Sequence, residues 1–235
     1  VPCLIDQFRP SIAEATIDIL ISLEISVMLF PDQTCCGQPL YKMGYRNKTR
    51  KVAKKMIRLF ENADHIVIPS GSCVEMIKKE YPQLMRDEGI WFERASDLSR
   101  RVHELSEFLV NTVKVKSIDA SFPHRITFHD SCQVSGALGI SEEPRILLKN
   151  VKGLELIEME DPGLCCGFGG QFSIKFPWIS RALLEEKVKM ILQTNAEFVV
   201  SCEPSCLIHM EGYMKKMNIP VKAIHIAEVL AIREK

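Results

Sequence analysis

Ile66-Val67-Ile68-Pro69-Ser70-Gly71-Ser72-Cys73 and Val199-Val200-Ser201-Cys202-Glu203-Pro204-Ser205-Cys206 share one layout: a short apolar run of strand character, a turn rich in proline and serine, then a cysteine. A strand that ends in a turn and delivers a functional side chain at its carboxyl end is the unit from which parallel α/β sheets are built. Strand-like runs recur at Ser26 to Phe30, His65 to Pro69, Arg125 to His129, Leu154 to Met159, Glu197 to Ser201 and Pro220 to Ile224. Between them lie apolar stripes of helical period, one on Val52, Ala53, Met56, Ile57 and Phe60 and another on Leu98, Val102, Leu105 and Leu109. The alternation predicts an α/β fold made of two tandem, pseudo-symmetric repeats, each a parallel sheet flanked by helices.

The cysteines sharpen the duplication. Cys3, Cys35-Cys36-Gly37 and Cys73 are answered by Cys132, Cys165-Cys166-Gly167 and Cys206. Each Cys-Cys-Gly follows a predicted strand, and the segments Glu104 to Leu109 and His225 to Leu230 close the two halves alike. The repeats are read as residues 1–116 and 117–235. Cys132 has a strand ahead of it whereas Cys3 has only Val1 and Pro2, so the first strand of repeat one is expected to lie upstream of this numbering.

Among 235 residues, Lys plus Arg and Asp plus Glu balance at 30 each, so no global positive field draws nucleic acid or an anionic membrane. The most apolar stretch, Ala15 to Phe30, is broken by Asp18 and Glu24, which excludes membrane insertion there. No export leader is visible, and a reducing cytoplasm is the expected location. The lysine- and arginine-rich stretch Asn47 to Arg58 reads as a solvated face or docking surface.

Nine cysteines, an odd number, argue against a complete disulfide framework and for metal or redox chemistry. Four soft thiolates per half suit an iron-sulfur cluster or a tetrahedral zinc. Neighbouring cysteines diverge along the backbone and reach different irons of a cluster more easily than adjacent vertices of one ion, which favours iron-sulfur, of 4Fe-4S type, and leaves zinc open for one repeat. The candidate metal ligands are Cys3, Cys35, Cys36, Cys73, Cys132, Cys165, Cys166 and Cys206, with Cys202 as a ninth thiol outside the pattern. Gly37, Gly167 and Gly169 would let backbone amides approach a cluster. His129 and His209 could ligate, hydrogen-bond a sulfide or carry a proton. Lys175 could offset cluster charge, although a solvated lysine is the plainer reading. No glycine-rich dinucleotide or phosphate loop occurs, and no catalytic residue is singled out.

Cys3-Leu4-Ile5-Asp6-Gln7-Phe8, Gln33 to Pro39, Pro69 to Cys73, His129-Asp130-Ser131-Cys132, Cys165 to Gly170 and Ser205 to His209 together resemble the cysteine-rich CCG-domain family, and within it the iron-sulfur proteins of bacterial lactate utilization. The resemblance implies a cytoplasmic oxidoreductase subunit that passes electrons while lactate is oxidised to pyruvate, working with other subunits of a lactate-utilization-like or heterodisulfide-reductase-like complex. Family members include the iron-sulfur subunit of glycolate oxidase and the B subunit of heterodisulfide reductase, in which each repeat closes on Cys-x-x-Cys. Here Ser70 and Glu203 stand at the first position of that closing motif. Two further readings stay open: a thiol-disulfide reductase, and a non-catalytic scaffold stabilised by zinc.

Overall fold

The computed structural model describes residues 4–233; Cys3 therefore lies outside the described residues. Six strands form two sheets, all of whose pairings are parallel: β1 (Ile66–Ile68), β2 (Val102–Glu104), β3 (Arg125–Phe128), β4 (Glu155–Leu156), β5 (Phe198–Ser201) and β6 (Lys222–His225). The first sheet has the order β1-β2 and the second β4-β3-β5-β6, with helices between consecutive strands. The fold is α/β, and its two sheets fit the expected pair of repeats.

Two local expectations are corrected. Residues 26–30 form no strand. In the second sheet β4 pairs only with β3, the strand that precedes Cys132. The first sheet holds β1 and β2 alone among the described residues, and neither is paired with residues 26–30. Val102, read as one point of a long helical stripe, instead opens β2, and the helix before it stops at Arg101. Apolar residues at 98, 102, 105 and 109 keep helical spacing across this break, so periodicity alone cannot see a three-residue strand.

Side chains alternate across each sheet, as a pleated strand requires. Ile66 and Ile68 enter the core of the first half, while Val67 faces a central core. Val200, paired with Phe128, faces that central core, and Val199 faces the core of the second half. The central core draws on both halves: Ile12 and Ile19 of the Pro10–Ser22 helix pack with Val229 and Leu230 near the carboxyl end, and Leu105 and Leu109 pack with Leu147 and Leu148.

The two halves end in matching capping boxes. Glu104 accepts from the Ser106 and Glu107 amides while Glu107 accepts from the Glu104 amide; His225 Nδ1 accepts from the Ala227 amide while Glu228 accepts from the His225 amide. The basic stretch is the helix Arg46–Leu59, whose Arg50 and Lys54 pair with Glu88 and whose Arg58 lies over Trp91.

Candidate metal centre

In the second half the cysteines arrive from three strand ends. β3 runs into His129 and Asp130, and the π-helical segment Cys132–Leu138 starts directly after, capped by Ser131 Oγ, which accepts from the Gln133 amide. Arg145 clamps the Asp130 carboxylate at 2.8 and 3.1 Å and fixes this turn. The loop after β4 brings Cys165 and Cys166, and the helix Pro204–Lys216 after β5 brings Cys206. Cys166 and Cys206 sulfurs are 3.0 Å apart, and one His129 ring nitrogen and these two sulfurs lie within 4.8 Å of one another. Cys165 sits between Cys132 and Cys166 and takes the Gly167 amide hydrogen at 3.3 Å.

The thiols share protons unevenly. Hydrogen bonds from Cys132 and Cys166, joined by the Gly167 amide, push the Cys165 thiol down, while the same contacts and burial push Cys132 and Cys166 up. Of this set, Cys165 is the thiol whose surroundings most favour the thiolate form that binds cations. Burial, with repulsion from Lys187, holds the His129 imidazole down at about 3, so it is neutral and able to act as a ligand. Both of its ring nitrogens are buried without a hydrogen bond of normal geometry, and the Pro162 backbone beside the ring opposes the downward shift. A buried imidazole so poorly satisfied beside two sulfurs is costly unless something binds there.

Lys187 joins the site without having stood out in the sequence. It is fully buried, donates to the Asp161 and Pro162 carbonyls at 2.8 and 3.2 Å, and lies close enough to Cys166 and Cys206 to feel their charge. Burial lowers its ammonium to about 8. A cation at this position offsets negative charge on a thiolate-bound centre. Its signal is present in the sequence: Leu184, Lys187, Val188 and Ile191 form the inward stripe of the helix Pro177–Gln193, and a lysine inside such a stripe calls for a buried partner. Lys175, the other candidate for charge compensation, is exposed to solvent.

Gly167 shows why the pair is followed by glycine. Its φ is +82°, and a Cβ there would stand 2.4 Å from the Ser180 carbonyl oxygen. Only glycine permits both the left-handed turn and the close approach. Gly37 and Gly169 also have positive φ. His209, one turn after Cys206, rests on Phe168 and reaches Ser180 Oγ at 3.4 Å; burial lowers its pKa, opposed by Cys165.

The first half repeats the arrangement. Cys36 and Cys73 sulfurs are 3.2 Å apart, Cys35 stands beside them and takes the Gly37 amide hydrogen at 3.4 Å, and the buried Tyr81 hydroxyl donates to the Cys36 carbonyl. Contacts with Cys35 and Cys73 push the Cys36 thiol up. Cys202 stands apart from both sets: it is buried, 4.0 Å from Ser106 Oγ and close to Glu104, and burial pushes its thiol up. No disulfide joins the described cysteines. The donor set of soft sulfurs, a buried imidazole and a buried balancing cation suits an iron-sulfur or other metal cofactor.

The cysteine-rich CCG domain profile matches residues 1–78 and 126–211, the segments that carry the two cysteine sets. The chain is similar to the lactate utilization protein A of an Exiguobacterium species, 44% identical over 232 residues that cover 98% of this chain and 94% of the relative. It is similar to proteins of the same name from Halalkalibacterium halodurans, 42% identical with 100% and 96% covered, and from a Geobacillus species, 41% identical with 98% and 97% covered.

Proposed function

The chain belongs to the cysteine-rich CCG domain family, and on that premise we propose that it is the iron-sulfur electron-transfer subunit of a complex that oxidises L-lactate, or a related 2-hydroxy acid, to the 2-oxo acid. The observation that carries this reading is the second cysteine set, where Cys166 and Cys206 gather with His129 beside the buried Lys187. In it Cys132, Cys165, Cys166 and Cys206 would hold one 4Fe-4S-type cluster, and Cys35, Cys36 and Cys73, with Cys3, would hold another. A cluster bound at each set supplies one-electron transfer. The chain's own residues set the conditions: Lys187 offsets charge, the Gly167 amide donates to the Cys165 sulfur, and His129 stands as a neutral imidazole beside Cys166 and Cys206. Other subunits of the lactate-oxidising system, working with this one in the cytoplasm, bring the hydroxy acid and the final acceptor.

A thiol-disulfide reductase needs an open position where substrate sulfur can reach the centre. Ser70 and Glu203, which stand where the disulfide-cleaving relatives carry cysteine, are instead buried and bonded to each other's half, which favours the relay.

Anaerobic purification followed by iron, zinc and acid-labile sulfide analysis tests the reading, with lactate-dependent reduction of an acceptor measured in the reassembled complex. Iron and sulfide in near-equal amounts support it. Zinc without sulfide overturns it and leaves a zinc-stabilised scaffold.

A further inference from the structure

The two cysteine sets are not separate sites on a common scaffold. The helix Gly71–Glu75, which carries Cys73, lies against the segment Cys132–Leu138, and a Cβ on Gly71 would stand 2.1 Å from Val134 Cγ2. At this seam a single carboxylate faces both halves. Glu203 is 1% exposed. Its Oε2 accepts from the Ser72 amide at 2.7 Å and from Ser70 Oγ at 3.4 Å. Its Oε1 accepts from Ser205 Oγ at 2.7 Å, from the Ser205 amide at 3.3 Å and from Ser72 Oγ at 3.2 Å. Ser72 immediately precedes Cys73, and Ser205 immediately precedes Cys206.

We infer that Glu203 is a positioning residue common to both cysteine centres, in which one buried carboxylate caps the helix that carries Cys73 and the helix that carries Cys206. Glu203 is the N-cap of its own helix, Pro204–Lys216, and so one of its two tasks is local. The other crosses 131 residues of sequence to the first half. The donors that meet this buried carboxyl have no water to turn to, and removing it leaves them unsatisfied. A change at either end is therefore felt at the other, and the coupling is reciprocal. The inference rests on the proposed function only in taking the two cysteine sets as the working centres.

The test compares Glu203→Ala, Glu203→Gln and the double variant Ser70→Ala/Ser72→Ala with the unaltered chain. Reduced, metal-free protein is alkylated and the rate at each cysteine is followed by peptide mass spectrometry. Glu203→Ala should speed labelling about tenfold at Cys73 and Cys36, in the half that was not altered, as well as at Cys206, since leaving buried donors unsatisfied raises local opening by that order. Glu203→Gln, with its size and one acceptor oxygen kept, should fall between. The serine double variant, which leaves the local cap of Glu203 intact, should speed labelling at Cys206. If Glu203→Ala changes only Cys166 and Cys206, or the serine variant leaves Cys206 unmoved, the carboxylate is a local cap and the inference fails. Should Glu203→Ala not fold, the serine variant decides. In protein loaded anaerobically with iron and sulfide, the same serine variant should alter the paramagnetic resonance signature of the second-half centre. Failure of both halves to take up iron and sulfide would sink the proposed function while the labelling result still settles the role of Glu203.

Discussion

Glu104 and His225 occupy equivalent caps in the two halves, yet burial moves them in opposite senses. The Glu104 carboxyl is raised to about 7, with the Ser106 and Glu107 hydrogen bonds opposing the rise, and one of its oxygens has no partner. The His225 imidazole is lowered to about 4. Between its ordinary value and about 7 the folded Glu104 binds more proton than the unfolded chain, so its contribution to stability falls as pH rises through that window. His225 binds less proton when folded, so its contribution is present above its ordinary value and is lost as pH falls toward about 4. The two slopes oppose each other where the windows overlap. Glu104→Gln should leave the His225 slope exposed, and His225→Asn, which keeps a capping oxygen, should expose that of Glu104. Each difference from the unaltered chain amounts to roughly 3 kcal/mol across its window, because every tenfold change in proton affinity on folding is worth about 1.4 kcal/mol. Urea unfolding from about pH 4 to pH 8 measures both, and parallel curves for variants and parent would refute the assignment. The matched position of these caps was legible in sequence, from Glu104 to Leu109 against His225 to Leu230. Their opposite titration was not, because it comes from burial.

At the scale of elements, five of the six strand-like runs became strands, while the run at 26–30 formed none and β2 was missed, each for an identifiable reason. Residues 26–30 carry strand-forming side chains, but a strand exists only where a neighbour completes its hydrogen bonds. Met28 and Leu29 are exposed in consequence. If the first half followed the sheet order β4-β3-β5-β6 of the second, one strand would stand between residues 26–30 and β1. An apolar segment of strand length supplied ahead of Val1 should occupy that position in parallel, convert residues 26–30 to strand and protect the Val27 and Leu29 amides from hydrogen exchange. Unchanged exchange at both amides would show that the first half does not follow the sheet order of the second. The strand β2 escaped for a different reason, since its three residues fit the spacing of the helices on either side.

Across the whole molecule, the central core joins residues on both sides of the proposed repeat boundary at 117. Ile12, Ile19, Leu105 and Leu109 from before it pack with Leu147, Leu148, Val229 and Leu230 from after it. Each half cut free would expose this apolar surface to water, at about 25 cal/mol per Å². Residues 1–116 and 117–235 expressed separately should therefore lack cooperative unfolding and regain it when mixed. A sharp thermal transition in either half alone would show that the repeats are independent. The buried Glu203 bridge runs through the same seam, so the cysteine centres and the core share one interface.

The sequence by itself determined the duplicated α/β plan and the identity of the thiols, because strand runs, Cys-Cys-Gly turns and their spacing are local patterns repeated along the chain. Tertiary structure alone decided which groups serve those thiols. Glu203 finds its partners in the other half, and Gly71 is required only because Val134 packs against it. Charge, burial and close approach between segments far apart in sequence exist only once the chain has folded, and no spacing along the chain encodes them.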